Sequence, residues 1–373
     1  MNACLIAIDE NEDLDRAEVQ YRLAIKLNPN YATALHWYSG LLAAQGKAQE
    51  SLAFAEKAQA VDPLSAPVNL DVGRAFERLG RFDEALRSYQ RVIEIEPSMP
   101  AAYAGIAGLQ GFAFGRMDLA IPWAEKALAL DPGNPLQLQG LGFIHRQLGG
   151  SHELAARRLF EEAAQKGAPL ANSFLAMQFL AAGERARARR FAMEGYRALP
   201  WHPLALGVVA AIDIADGDIG AALGRYEKAV PGLADRVPPR VNYYNSGAAI
   251  DLAYILQQSG ESDRATKLLD QAEKFVVGRT RLGGDGIGIM DARIHVLRGE
   301  PAKALAAIRA AVQAGWRMEW RYFRDTDPAL ASIRKDPEFQ AAFAEIERDM
   351  ARQRAAFASR PKDAPLPLGA SAQ

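Results

Sequence analysis

The sequence GRFDEALRSYQRVIEIEP, from Gly80 to Pro97, contains the signals from which the fold of the chain can be predicted. Gly80 can adopt the left-handed backbone conformation that ends one helix, and Pro97 cannot continue the next helix because it lacks a backbone N–H. Between them, small and apolar residues recur at spacings of four and three: Ala85, Tyr89 and Val92. That spacing places them on one face of a helix, so the stretch predicts a turn, an amphipathic helix and a stop.

Copies of this unit recur along nearly the whole chain. The first six turn glycines are spaced by 34, 35, 34, 34 and 34 residues: Gly46, Gly80, Gly115, Gly149, Gly183 and Gly217. Gly260 and Gly299 continue the series at spacings of 43 and 39. Prolines end the early units at a similar period: Pro29, Pro63, Pro97 and Pro132. A fixed period of this length indicates stacked helix pairs instead of separate globular domains.

The 34-residue period resembles the tetratricopeptide repeat family, in which two antiparallel helices meet through small side chains. One unit carries the family's small, bulky and closing positions in full: Gly73, Ala85, Tyr89, Val92 and Pro97. The family's Trp near the start of the first helix is replaced in successive units: Leu35, Asn69, Tyr103, Leu138 and Leu206. The resemblance implies an all-α fold, a right-handed α-solenoid of stacked helix-turn-helix units with a C-terminal helical cap.

The pattern predicts four segments. Residues 1–30 form a partial N-terminal repeat, residues 31–314 hold eight repeats, residues 315–358 form C-terminal capping helices, and residues 359–373 form a disordered tail. The eight repeats are expected at about 32–63, 66–97, 100–132, 135–167, 169–200, 203–231, 243–273 and 285–314. In the third of these, closely spaced glycines predict a first helix that is weak at its C-terminal end.

The two ends of the array carry different signals. At the start, residues 12–29 read as a second helix whose partner must come from residues 1–8, either as a short, frayed helix or because the chain is the C-terminal part of a longer protein. Near the other end, Asp327 and Asp336 each precede a proline, which predicts two helix starts with an Asp cap. The aromatic and basic cluster at 314–324 lies between the last repeat and these helix starts. We expect this cluster to pack under the cap. The alternative is that its aromatic rings form a platform for stacking of bases or for a partner.

Composition excludes several classes of function. The chain has 373 residues and a formal net charge of −1, which argues against nucleic acid as a partner. A single cysteine, Cys4, rules out an intrachain disulfide framework. No apolar run is long enough to cross a bilayer, and the start lacks a secretory signal, so the chain as written is expected in the cytoplasm, without membrane insertion.

No residue pattern in the sequence indicates a catalytic site or a metal site. The five histidines show no metal-ligand spacing: His36, His145, His152, His202 and His295. The zinc protease pattern that His152 and Glu153 could begin needs a second histidine where Ala156 stands. We therefore predict no catalytic residues, no cofactor and no metal site, and a protein that is not an enzyme.

The family resemblance places the working surface on the concave groove lined by the first helices. Side chains predicted to face a partner there are Thr33, His36, Arg74, Glu77, Gln139, Phe143, Arg146, Ser173, Met177, Tyr254, Gln257 and Arg293. Their mixture of apolar and charged groups suits a peptide or helix of a protein partner. The Lys and Asn residues with which a subgroup of the family clamps chaperone tails are absent, because His36, Gly40 and Asp71 occupy those positions. Neither the partner nor the oligomeric state follows from the sequence.

A narrower resemblance concerns the order of motifs near the C terminus. Degenerate repeats followed by Gly315-Trp316 and the Asp-Pro starts at 327 and 336 are similar to the C-terminal halves of bacterial signalling proteins. Those proteins carry an N-terminal winged-helix DNA-binding or adenylate-cyclase-type domain, often ahead of a membrane helix. The resemblance implies an alternative function as the sensor or regulatory module of a larger protein, which would be periplasmic if membrane-anchored.

Overall fold

A computed structural model describes most of the chain, and the chain divides into two compact units. The described residues are 11–234, 239, 241, 245–276, 289–361 and 363–367. Unit 1 reaches to residue 109, and unit 2 covers residues 110–367. The division falls inside the glycine-rich repeat predicted at 100–132. Residues 1–8, which the sequence assigns as the partner of the first helix, lie outside the described residues.

The described part of unit 1 contains six helices. They are α1 (Asn11–Leu27), α2 (Ala32–Ala44), α3 (Ala48–Val61), α4 (Ala66–Arg78), α5 (Phe82–Ile95) and α6 (Pro100–Gly108). Helix α2 pairs with α3, α4 pairs with α5, and each pair packs against the next helix of the chain. These two hairpins fall within the ranges 32–63 and 66–97 that the sequence predicts for repeats; the division into eight repeats stays a prediction.

Unit 2 contains the remaining described helices. They are α7 (Met117–Leu130), α8 (Pro135–Leu148), α9 (His152–Gln165), α10 (Ala171–Ala181), α11 (Arg185–Ala198), α12 (Pro203–Ala215), α13 (Ile219–Ala229), α14 (Pro231–Ala234), α15 (Ser246–Gln258), α16 (Ser262–Val276), α17 (Met290–Leu297), α18 (Pro301–Gln313), α19 (Trp320–Asp325) and α20 (Pro337–Ser359). Five hairpins form from consecutive helices: α8 with α9, α10 with α11, α12 with α13, α15 with α16, and α17 with α18. The predicted fold class, an all-α helical repeat solenoid, is confirmed.

The turn glycines behave as predicted. All eight have a positive φ, from 65° to 86°: Gly46, Gly80, Gly115, Gly149, Gly183, Gly217, Gly260 and Gly299. The predicted weakness of the glycine-rich helix is also confirmed, because α6 ends at Gly108 and a π-helix, Leu109–Ala113, follows. The hydrogen bonds of a π-helix span one residue more than those of an α-helix. This change of pattern is tolerated where glycines weaken the regular α-helix.

The helix that opens each hairpin is called its first helix, and α6, which opens the glycine-rich repeat, is counted with them. First helices contact one another within each unit: α2, α4 and α6 in unit 1, and α10, α12, α15 and α17 in unit 2. We call the surface that they build the first-helix face. It corresponds to the groove predicted from the sequence.

The C-terminal segment, residues 315–359, does more than cover the last hairpin. Helix α20 packs against α18, as a cap would, but it also packs against α7 and α8 at the opposite end of unit 2. Helix α19 contacts α10, and a short 3-10 helix, Pro328–Leu330, contacts α15 and α17. The segment therefore runs along the first-helix face of unit 2, which the prediction of a terminal cap did not anticipate.

The predicted helix starts and the tail are seen in part. Asp327 Oδ1 accepts from the Ala329 backbone N–H at 2.8 Å, and Asp336 Oδ1 accepts from that of Glu338 at 2.8 Å, which confirms both caps. After α20, the described tail residues contain no helix, and Pro367 accepts a hydrogen bond at 3.1 Å from the Trp123 indole N–H. Residues 362 and 368–373 of the predicted tail lie outside the described residues.

Candidate protein-interaction surface

In unit 1, the first-helix face presents aromatic and polar side chains to solvent. On α2, Thr33, Trp37 and Gly40 are exposed at spacings of four and three, so they share one face of the helix. Trp37 is 60% exposed, which is unusual for so large an apolar side chain. An exposed apolar surface of this kind indicates a site of interaction. On α4, Arg74 and Asp71 are half-buried on the equivalent stripe.

A chain of hydrogen bonds joins the two helices on this face. His36 Nε2 lies 2.7 Å from Asp71 Oδ2, and Arg74 Nη1 donates to Asp71 Oδ1 at 2.9 Å. Burial favours the neutral form of Asp71, but the hydrogen bonds and charges of His36 and Arg74 outweigh it and hold the pKa of that carboxyl below its ordinary value. The carboxylate therefore stays ionised and orients both basic side chains.

Glu77 lies one turn further along α4 and points to the neighbouring second helix. Its Oε2 accepts from the Tyr89 hydroxyl at 2.8 Å, and burial raises the pKa of Glu77 and, more strongly, that of Tyr89. Thr33, His36, Arg74 and Glu77, the four residues predicted for this part of the groove, thus lie on α2 and α4 as expected. Their role in binding stays a prediction.

The floor beside α4 is built from small residues of α6. Ala101, Ala104 and Gly108 are partly exposed and recur at spacings of three and four, which places them on one stripe. No long side chain rises from this stripe, so a partner backbone could approach α6 closely. Together the three helices offer one exposed aromatic ring, one ordered group of charges and a low apolar floor.

In unit 2, the same face is occupied by the C-terminal segment. Arg146 on α8 is buried and forms an ion pair with Glu319, and Gln147 donates to and accepts from that residue. Among the described non-glycine residues, Glu319 alone has a positive φ, 50°. Such a backbone conformation is uncommon for a long side chain, and here the bonds to α8 hold it.

Arg293 on α17 makes the corresponding contact further along unit 2. It is 4% exposed, and its guanidinium is placed between the carboxylates of Asp251 and Asp327, with Arg293 Nε 2.8 Å from Asp327 Oδ2. Burial opposes its charge, but the two carboxylates more than compensate and raise the pKa of Arg293. Burial raises the pKa of the Asp327 carboxyl. A buried ion pair of this kind is tolerated only because each charge has partners.

The other residues predicted for the groove of unit 2 serve internal packing. Phe143, Ser173 and Met177 are buried, and Phe143 stacks edge-on against Phe112 and Phe174 at 5.2 Å. Gln139 accepts from the Leu170 backbone N–H at 3.1 Å, and Gln257 donates to the Leu297 carbonyl at 2.8 Å. Tyr254 is half-buried, and burial raises its pKa. Of the eight residues predicted for the groove of unit 2, five are therefore buried, and Gln139, Tyr254 and Gln257 are half-buried. Their role in binding stays a prediction.

The aromatic and basic cluster at 314–324 packs, as the favoured interpretation predicted. Trp316 and Trp320 are 2% and 0% exposed. The Trp320 indole N–H donates to the Gln147 carbonyl at 3.1 Å, and Arg321 Nη1 donates to the Arg146 carbonyl at 2.8 Å. These donors satisfy carbonyls at the C-terminal end of α8, which an isolated helix leaves unpaired.

Two of the histidines, which the sequence gives no reason to connect, form a pair in the structure. His145 Nδ1 and His152 Nδ1 lie 2.7 Å apart with stacked rings, so one must donate and the other accept. Burial, followed by the proximity of His152, lowers the pKa of His145 to about 4. Burial and the charge of Arg354 lower the pKa of His152. Their spacing of seven across a helix turn gives no recognisable motif.

One small cavity lies between α8, α10 and α19. It measures about 40 Å³ and is lined by residues that include Arg146, Gln178, Glu319 and Arg321. That volume suits a water molecule or two, whereas metabolite sites usually enclose several hundred Å³. This cavity therefore cannot hold a substrate.

Comparison with known proteins agrees with the repeat architecture. Residues 70–135 match the family model of the tetratricopeptide repeat. The chain is 27% identical over 143 residues to the protein CTR9 homolog of Arabidopsis thaliana, and 28% identical over 141 residues to the small glutamine-rich tetratricopeptide repeat-containing protein 2 of Mycosarcoma maydis. Each match covers 38% of this chain, but only 13% and 36% of the two relatives. The predicted resemblance to the tetratricopeptide repeat family is confirmed.

A solved structure extends the likeness to most of the chain. The crystal structure of the APC/C hetero-tetramer Cut9–Hcn1 matches with a TM-score of 0.51 and 15% identity, covering 90% of this chain and 60% of that one. At this identity the likeness concerns the fold alone. Within the described residues, no helix combines the length and the apolar character needed to cross a membrane. Proteins with tetratricopeptide repeats mediate protein–protein interactions.

Proposed function

We propose that the protein is a non-enzymatic scaffold that binds a peptide or helix of a protein partner on the first-helix face of unit 1. Trp37 is the observation that carries this proposal, since it is 60% exposed on the face that the family uses for binding. Exposed tryptophans of this kind are common anchors at interfaces, because they bury a large area at little cost in conformational entropy.

The surface around Trp37 suits recognition because it is already ordered. His36, Asp71 and Arg74 hold one another through hydrogen bonds of 2.7 and 2.9 Å. A partner would therefore meet a formed surface, and little ordering entropy would be lost on the scaffold side. In unit 2, Arg146 and Arg293 are instead buried in ion pairs with the C-terminal segment.

The non-enzymatic part of the proposal rests on how the polar groups are used. Asp71 is engaged by His36 and Arg74, and Glu77 is engaged by Tyr89, so each carboxylate has a structural partner. A general acid or base needs free access to a substrate proton. The net charge of −1 further favours a protein partner over a nucleic acid.

The test compares partner capture by matched variants of the full chain in the source cells. Trp37→Ala combined with Arg74→Ala should reduce co-purified partners at least tenfold, as measured by quantitative mass spectrometry. Arg91→Ala is the control, because Arg91 is similarly exposed and forms an i,i+3 ion pair with Glu94 on a second helix. All variants should melt within a few degrees of the wild type. Equal capture by the double variant and the control would refute the proposal.

The alternative role, as the regulatory module of a larger bacterial signalling protein, stays a prediction. It is compatible with the same surface, since a module of that kind would also receive a protein signal. The intact mass of the native protein separates the two. A mass near 40.5 kDa would favour a free scaffold, and a larger mass would favour the module.

A further inference from the structure

Arginines occupy the same repeat position in both units. Arg74 stands six residues before the turn glycine Gly80, and Arg293 stands six residues before the turn glycine Gly299. In a repeat fold, equal distance from the turn means an equivalent place on the first helix. The two side chains therefore project from corresponding points of the first-helix face.

The aspartates that bind these arginines stand at equal distances from a turn glycine, although in unit 2 the aspartate comes from the preceding repeat. Asp71 stands nine residues before Gly80, and Asp251 stands nine residues before Gly260. Asp71 binds Arg74 at 2.9 Å, and Asp251 forms an ion pair with Arg293. Each arginine is thus bound by an aspartate nine residues before a turn glycine, but Asp71 lies on the same helix as Arg74, whereas Asp251 lies on α15, the first helix of the preceding hairpin.

In unit 2, this ion pair holds a second carboxylate. Asp327 of the C-terminal segment approaches Arg293 to 2.8 Å, and its other oxygen caps the 3-10 turn that continues into Pro328 and Leu330. Asp327 and Leu330 are both fully buried. Unit 2 thereby shows a ligand that an arginine at this repeat position binds. The ligand is an aspartate that begins a helical turn and is followed by apolar residues.

In unit 1, the equivalent arginine faces solvent. The side chain of Arg74 is 42% exposed, although it is bonded to Asp71. A guanidinium carries five N–H donors in a planar fork, so the bond to Asp71 leaves donors for a second carboxylate. His36, at 20% side-chain exposure, adds a second basic group bonded to the same aspartate.

We infer that the partner segment recognised by unit 1 presents an aspartate at the start of a helical turn, followed by apolar residues, in the manner of residues 325–330 of this chain. The aspartate binds Arg74, and an apolar side chain of the segment covers Trp37. This inference rests on the proposed function and adds the chemistry of the ligand to it. A basic site of this kind discriminates against amides, because an Asn offers no charge to the guanidinium.

The probe is a fluorescein-labelled peptide with the sequence of residues 322–333, YFRDTDPALASI, titrated with the full chain and followed by fluorescence anisotropy. A second peptide replaces the aspartate that corresponds to Asp327 by Asn. The protein variants are Arg74→Gln, Trp37→Ala and, as the control, Arg91→Gln. Far-UV circular dichroism confirms that each variant keeps its helices.

We expect the wild type and Arg91→Gln to bind the aspartate peptide equally. Arg74→Gln and the Asn peptide should each weaken binding at least tenfold, and combining them should add little, because both remove the same contact. Absence of binding to the wild type, or binding that is indifferent to Arg74→Gln or to the Asn peptide, would overturn the inference. If only Trp37→Ala lost binding, the predicted role of the carboxylate would be refuted, and the proposed binding surface would stand.

Discussion

Tyr89 shows how single residues fix the distance between helices in unit 1. Its ring lies between two glycines of neighbouring first helices, and a Cβ added at Gly73 would lie 2.6 Å from Tyr89 Cε1, while one at Gly105 would lie 2.8 Å from Cε2. The ring therefore cannot move away from one helix without meeting the other. Close packing of this kind makes the interior intolerant of even one added methyl group.

Gly73→Ala should destabilise the protein for this reason. Overpacking costs about 1–3 kcal/mol, and only part is regained from the better helix propensity of alanine. Gly40→Ala is the control, because a Cβ at Gly40 on α2 meets nothing within 4 Å; it should stabilise by up to about 1 kcal/mol. Urea unfolding measures both. Equal signs for the two substitutions would contradict the packing argument.

Asp327 allows its charge to be tested apart from its capping role. It is fully buried, caps Ala329 and pairs with Arg293. Asparagine caps a helix about as well as aspartate, so Asp327→Asn removes the charge and keeps the cap. We expect a loss of roughly 3 kcal/mol, because Arg293 stays buried with one carboxylate fewer.

Asp336→Asn is the matched control for that substitution. Asp336 caps α20 through the Glu338 N–H at 2.8 Å and is only half-buried. Its replacement should change the unfolding free energy by less than about 0.5 kcal/mol. If both variants were equally stable, the ion pair around Arg293 would contribute nothing.

At the scale of elements, α20 covers the histidine pair at the junction of α8 and α9. The ring of Phe357 packs edge-on against His152 at 5.5 Å, and Arg354 donates to the Leu148 carbonyl at 2.7 Å. Arg321 from α19 approaches Glu153 within 3.7 Å in the same region. Protonation of His152 would therefore place a further positive charge near Arg354.

The protein should lose stability on mild acidification through this pair. Folded His145 has a pKa of about 4, whereas an unfolded histidine titrates near 6.5. The contribution of neutral His145 to the free energy of unfolding is therefore complete above about pH 6.5. It is lost as the pH falls towards 4, because the unfolded chain then binds a proton that the folded chain does not. The full shift corresponds to roughly 3 kcal/mol.

Substitution by a residue that does not titrate isolates this effect. His145→Asn retains a polar side chain and should lower stability at pH 7.5, but the difference from the wild type should shrink by about 2–3 kcal/mol between pH 7.5 and pH 4.5. Urea unfolding at several pH values measures it. A difference that stays constant with pH would show that His145 titrates normally in the folded protein.

The helices and their turns could be predicted from the sequence because their signals are local. Gly80, Tyr89 and Pro97 lie within one repeat, and the two Asp caps lie next to the helices that they begin. The path of the C-terminal segment could not be predicted, since contacts between residues far apart in sequence leave no periodic trace. The residue types and the spacing of Arg146 and Arg293 would be the same if these side chains faced a partner. The sequence therefore does not reveal that they bind Glu319 and Asp327 instead.

At the scale of the molecule, unit 2 depends on its last helix. Gln353 of α20 accepts from the Met117 N–H at 2.8 Å and donates to the Gly115 carbonyl at 2.8 Å, so it satisfies backbone groups at the start of α7. A helix end that loses such a partner is left with unpaired polar groups. Stability in unit 2 is therefore not the sum of neighbouring hairpins alone, as in a simple repeat array.

Truncation after Lys335, which removes α20, should consequently loosen both ends of unit 2. Hydrogen exchange should accelerate in α7 and α8 as well as in α18, while α2 to α5 of unit 1 keep their protection and serve as the internal control. Mass spectrometry of peptic fragments resolves the four regions. Acceleration confined to α18 would mean that α20 acts only as a terminal cap.

The bond between Gln353 and Met117 also orders events during synthesis. The two residues are separated by 236 positions, so the first turn of α7 gains this bond only after α20 has been synthesised. At about 5–20 residues per second, the wait is roughly 10–50 s. The hydrogen bond between His36 and Asp71, which joins α2 to α4 in unit 1, spans only 35 positions and can form soon after these helices leave the ribosome. The first-helix face of unit 2 stays uncovered on the nascent chain, so that interval is when a chaperone would find it.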